Sequence, residues 1–265
     1  MAAVTPILVI EHISRRFGGY LALEDVCCEI VPGSVHALIG PNGAGKTTLL
    51  NIISGTLRPD SGRLLFAGMP YAGRRADQIL AMGIARNFQQ TRLFGGLSII
   101  ENVMIGAHSR MYERPFASAL EFFGLGHSEQ SARTEALKTI QFVGLSAKLA
   151  ARPDQLTLSD QRRLEVARAL ASKPRLLLLD EPAAGMNPTE LAELGKLIER
   201  IKSSGVTLLL VEHHMRLIMA VSDRITVLSA GKVIADGPPA SIQRDPQVIA
   251  AYLGQSDEPA LHPQH

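Results

Sequence analysis

The spacing of hydrophobic residues changes along the chain, and the first part is typical of strands. Short apolar runs at Ile7–Ile10, Val26–Val31 and Val35–Ile39 are bounded by polar or turn residues such as Pro32-Gly33. A further run, Gly62–Ala67, ends before another glycine. These patterns predict several strands near the N-terminus, with β-hairpins among them.

The middle and the last part of the chain alternate between helical spacing and buried strands. The segment from about residue 74 to residue 170 is predicted to be mainly helical, most clearly at Ala132–Val143, where apolar residues share one helix face. Leu176–Leu179 and Val206–Val211 are continuous apolar runs, which are typical of parallel strands covered on both faces. A helix over Glu190–Lys202 is predicted between these two strands, and a hairpin follows over residues 225–236.

This order of elements predicts an α/β fold with a parallel-sheet core, an N-terminal antiparallel β subdomain and an inserted α-helical subdomain. We expect one domain over residues 1–254, with the helical insertion at about 90–170 and a mobile polar tail at 255–265.

Composition and charge narrow the class of protein. Hydrophobic residues make up 46% of the 265 positions, which excludes intrinsic disorder. A formal net charge of +2 does not favour nucleic acid as the main ligand. The adjacent Cys27 and Cys28 match no zinc spacing, and we expect both to be small, reduced and buried. The apolar runs are too short to span a membrane and the N-terminus lacks a signal peptide, so a cytoplasmic location is expected.

The strongest chemical signal is a glycine-rich loop between a strand and a helix. Gly40-Pro41-Asn42-Gly43-Ala44-Gly45-Lys46-Thr47 fits the pattern G-x-x-x-x-G-K-[ST], which binds nucleotide phosphates. Its backbone N–H groups and the helix N-terminus attract phosphate oxygens. Lys46 is expected to reach the β- and γ-phosphates, and the Thr47 hydroxyl to ligate Mg²⁺. The expected nucleotide contacts in this loop are Asn42, Gly43, Ala44, Gly45, Lys46, Thr47 and Thr48.

Two acids follow the buried strand at Leu176–Leu179. Asp180 stands at the carboxyl end of that strand, where ligands of α/β sheets bind, and we expect it to hold Mg²⁺ directly or through water. Glu181 is expected to polarise the attacking water. By itself the pattern also fits a strand followed by a polar turn, and the Lys46 loop favours the functional interpretation.

Taken together, these segments resemble the ATP-binding cassette (ABC) ATPases, which are P-loop NTPases with a RecA-like core, from about Leu8 to Gly254. The resemblance implies ATP and Mg²⁺ as ligands. It further implies that Phe17 stacks on adenine, that Gln89 contacts Mg²⁺ and the γ-phosphate, and that His213 contacts the γ-phosphate. Each of these three residues has an ordinary alternative: a core aromatic, a solvated loop residue and a hydrogen-bonded histidine.

Within this family, three stretches are most similar to ATP-binding subunits of branched-chain amino acid importers: FQQTRLFGGLSIIENV, LLLLDEPAAGMNP and GKVIADGPPASIQRDPQVIAAYLG. The resemblance implies an ATPase that powers uptake of branched-chain amino acids or related small polar solutes. One alternative is a soluble ABC ATPase that acts on nucleic acid or ribosomes. Another is a small-molecule kinase with a P-loop.

The segment that aligns with the family signature LSGGQ departs from it, and its residues are Leu156-Thr157-Leu158-Ser159-Asp160. Thr157 keeps a hydroxyl, whereas Ser159 replaces a glycine and Asp160 replaces the glutamine. Thr157 and Ser159 remain the expected contacts to ATP held by a partner subunit. A side chain at 159 and a charge at 160 are expected to weaken that contact, so that one of two composite sites is slower. Thr157 and Asp160 also have the spacing of a helix capping box.

The resemblance also implies partners. One cassette supplies half of each composite site, so a second ABC ATPase subunit is expected, and the altered signature favours a heterodimer. Integral membrane permease subunits are expected to place the chain on the inner face of the plasma membrane. Four residues are expected to line the groove for a permease helix, although three of them, all but Arg92, are also candidates for the core: Arg92, Leu93, Phe94 and Leu97.

Overall fold

The computed structural model describes residues 5–87, 93–108 and 125–253. It divides into two compact units, one made of the chain up to Arg75 and from Ile201 onward, the other of Ala76–Arg200. The segment predicted as a helical insertion, about 90–170, falls within the second unit. The tail predicted at 255–265 lies outside the described residues.

An antiparallel sheet forms the N-terminal part of the first unit, as the sequence predicted. Its strands are β1 (Leu8–Phe17), β2 (Tyr20–Ile30), β4 (Ser61–Phe66) and β5 (Met69–Pro70). They lie in the order β2-β1-β4-β5. Register shifts interrupt the pairing of β1 with β2 after Ile10, which indicates bulges that bend the two strands.

The first unit also contains a parallel set of strands. β3 (Val35–Ile39) pairs in parallel with β8 (Thr207–Val211) and with β9 (Arg224–Ser229), and β10 (Lys232–Gly237) closes a hairpin with β9. Every residue of β3 and β8 is buried, which confirms that the continuous apolar runs are covered on both faces. The helices of this unit are Lys46–Ile53, Met215–Val221, Pro239–Ile242 and Pro246–Leu253.

The second unit holds a parallel strand pair and most of the helices. β6 (Ile84–Arg86) pairs with β7 (Leu176–Asp180). The mainly helical prediction for this region was wrong at β6, because a strand of three residues has too little pattern of its own and exists through its pairing with β7. The helices are Ala76–Met82, Ile99–His108, Leu125–Phe142, Leu158–Ala171 and Pro188–Ser203, the last of which runs on into the first unit. Ser146–Lys148 and Pro153–Gln155 are short 3₁₀ turns.

Two helices of the second unit pack at very close range. A Cβ at Gly106, in the helix Ile99–His108, would lie 1.9 Å from the carbonyl oxygen of Arg168 in the helix Leu158–Ala171. Glycine is therefore required where the backbones meet. No described helix has the length and the apolar character needed to cross a bilayer.

A buried polar network joins four strands of the first unit. The Thr226 hydroxyl lies 2.7 Å from His36 Nε2 and 3.3 Å from Cys28 Sγ, and it donates to the carboxylate of Asp236. Burial lowers the pKa of His36 to about 4, an effect that the nearby Asp236 partly opposes. Burial also raises the pKa of Cys28 to about 12. The network therefore holds a neutral imidazole and a neutral thiol in the core.

The two adjacent cysteines lie in opposite environments. Cys28 is buried, as predicted, but Cys27 is exposed, so the prediction of burial was wrong for Cys27. Neighbouring side chains of a strand point to opposite faces, and β2 has one face on the core and one toward solvent.

Candidate functional site

The glycine-rich loop connects β3 with the helix Lys46–Ile53, as predicted. Gly40 has a φ of 150°, and a Cβ there would lie 2.1 Å from the carbonyl oxygen of Leu228. Gly45 has a φ of 103°, and its Cβ would lie 2.7 Å from the carbonyl oxygen of Ala22. Both positions require glycine, for conformation and for space. The curled backbone of the loop therefore packs closely against the backbone at Leu228 and Ala22.

The charge of the loop is concentrated at the first residue of its helix. Lys46 Nζ donates to the carbonyl oxygens of Gly40 at 2.6 Å and Pro41 at 2.9 Å, which holds the ammonium inside the loop. Gly45 is the N-cap and supplies no side-chain cap, so the helix N-terminus lacks the acceptor that an N-cap side chain usually supplies. A helix dipole, backbone N–H groups and a lysine together suit phosphate oxygens. Thr47 is exposed beside them.

Tyr252, from the last described helix, lies beside the start of this loop. Burial raises the pKa of Tyr252 to about 12, an effect that the nearby backbone of Gly40 partly opposes. This residue was not predicted from the sequence, because a tyrosine in a C-terminal helix carries no signal of a long-range neighbour.

Two aromatic residues flank the tight turn between β1 and β2. Phe17 is 46% exposed, which argues against the alternative that it is a core aromatic. The guanidinium of Arg15 lies 4.9 Å from the centroid of its ring. Tyr20 pairs with Phe17 across the hairpin, and its hydroxyl donates to the carbonyl oxygen of Gly43 at 3.3 Å. The exposed Phe17 is thus connected to the glycine-rich loop through Tyr20, its partner in the hairpin.

His213 and His214 follow β8, and both contact the buried carboxylate of Glu212. Glu212 Oε2 accepts the backbone N–H of His213 at 3.0 Å and lies 3.1 Å from His214 Nδ1. The carboxylate of Glu212 is buried, whereas His213 is exposed. Glu212 was not predicted as a site residue, although a lone acid at the end of an apolar strand is a visible signal in the sequence.

In the second unit, Asp180 ends β7 as predicted, and its carboxylate is buried. Asp180 Oδ2 accepts from the guanidinium of Arg86 at 2.8 Å, and Asn87 Oδ1 accepts the backbone N–H of Asp180 at 2.7 Å. Asp180 Oδ1 is buried without a hydrogen-bond partner among the described residues. A buried carboxylate oxygen with spare acceptor capacity fits Mg²⁺ or a water of its coordination shell. Neither Arg86 nor Asn87 was singled out from the sequence.

Glu181 follows in a strained backbone conformation. Its φ of 48° lies in the left-handed region, which a non-glycine residue seldom adopts. Pro182 and Ala183 after it are buried and hold the turn in place. Glu181 itself is half-buried.

The altered signature segment begins the helix Leu158–Ala171. Thr157 is its N-cap: its hydroxyl accepts the backbone N–H of Asp160 at 3.2 Å and donates to the carboxylate of Asp160 at 2.9 Å. The N-cap role of Thr157 is confirmed, whereas the carboxylate of Asp160 accepts from the Thr157 hydroxyl rather than from its backbone N–H, so the capping box is incomplete. Lys148 forms an ion pair with that carboxylate, and Ser159 is buried. The charge at position 160 is thus paired, and its partner Lys148 was not predicted from the sequence.

The loop Phe94–Ser98 is held by a fully buried asparagine. Asn102 Oδ1 accepts the backbone N–H of Phe94, and its amide donates to the carbonyl oxygens of three loop residues: Phe94, Leu97 and Ser98. Phe94 is 50% exposed, so the alternative that it is simply core is wrong, whereas Leu93 and Leu97 are half-buried.

Gln89 and Arg92 lie outside the described residues. Among the other predicted site residues, the structure places Phe17, the glycine-rich loop and His213 in the first unit. The second unit contains Asp180 and Glu181 together with Thr157 and Ser159 of the signature segment.

Comparison with protein families gives two matches. Residues 23–184 match a family model described as "ABC transporter", and residues 232–258 match one described as "Branched-chain amino acid ATP-binding cassette transporter". The first match covers more than half of the chain.

Full-length relatives and a solved structure agree with these matches. The chain is 39% identical over 252 residues to the high-affinity branched-chain amino acid transport ATP-binding protein LivG of Escherichia coli, covering 95% of this chain and 99% of LivG. It is 38% identical to BraF of Pseudomonas aeruginosa, which is also described as a high-affinity branched-chain amino acid transport ATP-binding protein, and this match covers 95% of this chain and 99% of BraF. The crystal structure of MJ1267, an ATP-binding cassette of an ABC transporter in its ADP conformation, superposes with a TM-score of 0.83 at 28% identity, covering 95% of this chain and all of MJ1267.

Proposed function

This chain belongs to the ABC transporter family of ATP-binding proteins, which hydrolyse ATP to drive transport, and on that premise we propose that it energises an importer of branched-chain amino acids. The observation that carries the proposal is the end-to-end similarity to LivG and BraF. The separate match of residues 232–258 to a model for branched-chain amino acid transporters supports it. None of these relatives is described as acting on nucleic acid. Because the chain belongs to the ABC transporter family, the alternative of a small-molecule kinase with a P-loop is excluded.

The residues of the glycine-rich loop bind the phosphates of ATP in this proposal. The N–H groups at the start of the helix Lys46–Ile53 donate to the phosphate oxygens, and Lys46 places its charge on the β- and γ-phosphates. Phe17 stacks on adenine, since its exposed face leaves room for a flat ring. Asn42, Gly43, Ala44, Gly45 and Thr48 line the phosphates.

Three residues are proposed to hold Mg²⁺ through oxygen atoms: Thr47, Gln89 and Asp180. Mg²⁺ bound there neutralises charge on the phosphates during hydrolysis. Arg86 holds Asp180 in one orientation through the 2.8 Å contact. Glu181 accepts a proton from the attacking water, and His213 contacts the γ-phosphate, with Glu212 orienting the backbone of His213.

Two cassettes are proposed to act as a pair, in which Thr157 and Ser159 face the nucleotide of the partner subunit. The pair is a heterodimer in this proposal, because the signature segment departs from the family pattern and makes the two composite sites unequal. ATP binding favours the closed pair and hydrolysis reopens it.

Membrane permease subunits are the second kind of partner. We place the docking site at the loop Phe94–Ser98, because Phe94 exposes an aromatic ring while Asn102 holds the loop backbone rigid. The chain thereby sits on the inner face of the plasma membrane.

Reconstituted transport tests the proposed solute. The full chain, co-purified with its permease subunits and partner cassette, is placed in vesicles, and uptake of labelled leucine is measured with its binding protein present. We expect ATP-dependent uptake that isoleucine and valine compete for and that ribose and urea do not.

Glu181→Gln is the matched control, since it keeps the size of the side chain but removes the proton acceptor. We expect this complex to bind ATP without transporting leucine. ATP-driven uptake of urea or ribose in place of leucine would overturn the proposed solute. Full uptake by Glu181→Gln would overturn the role of Glu181 but not the solute.

A further inference from the structure

Three side chains with metal-binding donor atoms lie together on the outer face of the antiparallel sheet. His12 is in β1, and Asp25 and Cys27 are in β2, two positions apart on the same face. All three are exposed, and their donor atoms lie within 4.8 Å of one another. None of them belongs to the nucleotide-binding residues described above.

The bulged backbone brings these side chains together. His12 and Asp25 both have a left-handed φ, of 53° and 54°, beside a register shift between β1 and β2. The Ser14 hydroxyl accepts the backbone N–H of Asp25 at 3.0 Å, which fixes that bend. The donors are therefore positioned by the fold before any ligand binds.

The donor atoms converge on one nitrogen of the imidazole. His12 Nδ1 lies 2.7 Å from Asp25 Oδ1 and 3.7 Å from Cys27 Sγ. In a nucleophilic cysteine–histidine–acid arrangement, the thiol and the acid would contact different ring nitrogens. Three donors around one point are instead an arrangement that can hold a metal ion.

We propose that His12 Nδ1, Asp25 Oδ1 and Cys27 Sγ form a surface site for Zn²⁺. One sulfur, one nitrogen and one oxygen donor suit Zn²⁺, whereas Mg²⁺ and Ca²⁺ require oxygen ligands. With Zn–S near 2.3 Å and Zn–N near 2.0 Å, tetrahedral geometry sets the distance between sulfur and nitrogen at about 3.5 Å. The observed 3.7 Å requires little movement, while Asp25 Oδ1 moves away from Nδ1 by roughly half an ångström.

Binding of the ion releases one proton from the protein. The Cys27 thiol releases its proton to solvent, the imidazole binds through an unprotonated Nδ1, and the hydrogen bond between His12 and Asp25 is replaced by two bonds to the metal. The backbone N–H of His12, 3.3 Å from Cys27 Sγ, donates to the thiolate. The fourth position is open to water, and the bound ion cross-links β1 with β2.

Cobalt and zinc titrations of the tag-free full chain test this site. We expect one Co²⁺ to bind with the near-ultraviolet absorption of a thiolate–cobalt bond, and one Zn²⁺ to displace it. Cys27→Ser should abolish that absorption, while His12→Asn and Asp25→Asn should each weaken binding by about tenfold or more. Asparagine tolerates the left-handed backbone at both positions.

Cys28→Ser is the matched control, because Cys28 neighbours Cys27 but faces the core, and a serine hydroxyl can keep its contact with Thr226. We expect this variant, and Lys46→Ala, to bind Co²⁺ as the wild type does. Absence of the thiolate–cobalt absorption in a folded wild-type chain would overturn the proposal, as would its persistence in Cys27→Ser. Circular dichroism of each variant checks the fold.

Discussion

Lys148 forms an ion pair with Asp160, the residue that ends the altered signature segment. The side chain of Asp160 is 14% exposed and that of Lys148 is 44% exposed. The carboxylate of Asp160 also accepts from the hydroxyl of Thr157 at 2.9 Å. The negative charge at position 160 is therefore partly compensated before a nucleotide approaches, and Lys148 joins the residues that shape this contact.

Lys148→Met leaves the carboxylate of Asp160 without its cation. We expect the ATPase rate of the assembled pair to fall about fivefold, which corresponds to about 1 kcal/mol for one partly exposed ion pair. Lys148→Met combined with Asp160→Gln should restore the rate, since no uncompensated charge then remains. Steady-state ATPase assays of the complex measure both. A double variant as slow as Lys148→Met alone would contradict the compensation.

Phe17→Ala removes the exposed ring that is proposed to stack on adenine. Since stacking on a base contributes about 1–3 kcal/mol, we expect the Kd for ATP to rise at least about fivefold. Phe17→Tyr keeps a flat ring and should bind as the wild type does. Fluorescence titration with a labelled nucleotide measures Kd. Because the ring is half-exposed, thermal unfolding of Phe17→Ala should change little, and unaltered ATP binding would refute the stacking role.

Glu212→Ala removes the carboxylate that accepts the backbone N–H of His213. We expect kcat for ATP hydrolysis to fall about tenfold or more, with a smaller change in KM, because His213 loses its orientation while the glycine-rich loop still binds phosphate. Glu212→Gln retains an acceptor oxygen and should recover most of kcat. Equal losses in the alanine and glutamine variants would instead indicate that the charge itself is required.

The neutral, buried His36 makes stability depend on pH. In the unfolded chain a histidine titrates near pH 6.5, whereas burial lowers the pKa of His36 to about 4 in the folded protein. Between these values the unfolded chain binds more protons, so the free energy of unfolding should fall as the pH is lowered from about 6.5 to about 4. Asp236, 4.0 Å from His36 Nε2, and Arg224 are the charged groups that face it.

His36→Gln should lose less stability than the wild type over this pH range, because its amide can donate to Thr226 but does not titrate. Urea unfolding at several pH values, followed by circular dichroism, measures the difference. Identical pH profiles for the two proteins would show that His36 does not contribute.

The features that sequence patterns predicted well are local ones. β3 was predicted with its observed bounds, and the glycine-rich loop was placed between this strand and its helix, because each is specified by neighbouring residues. Asp180 was predicted at the end of a continuous apolar strand, with Glu181 directly after it, and the structure confirms that position. The capping role of Thr157 followed from the spacing of two residues.

Other features depend on pairs far apart in the chain and were not predicted. β6 is a strand because it pairs with β7, and Tyr252 reaches Gly40 across most of the sequence. Arg86 reaches Asp180 in the same way.

The sequence by itself determined the family and the position of the glycine-rich loop between a strand and a helix, because these depend on residue type at fixed short spacing. Only the tertiary structure decided that Lys148 compensates Asp160, that Glu212 orients His213, and that Cys27 faces solvent beside His12. The physical reason is that side-chain partners and burial follow from how strands and helices pack. A bulge or a helix end can bring together residues whose spacing in the sequence carries no periodic signal.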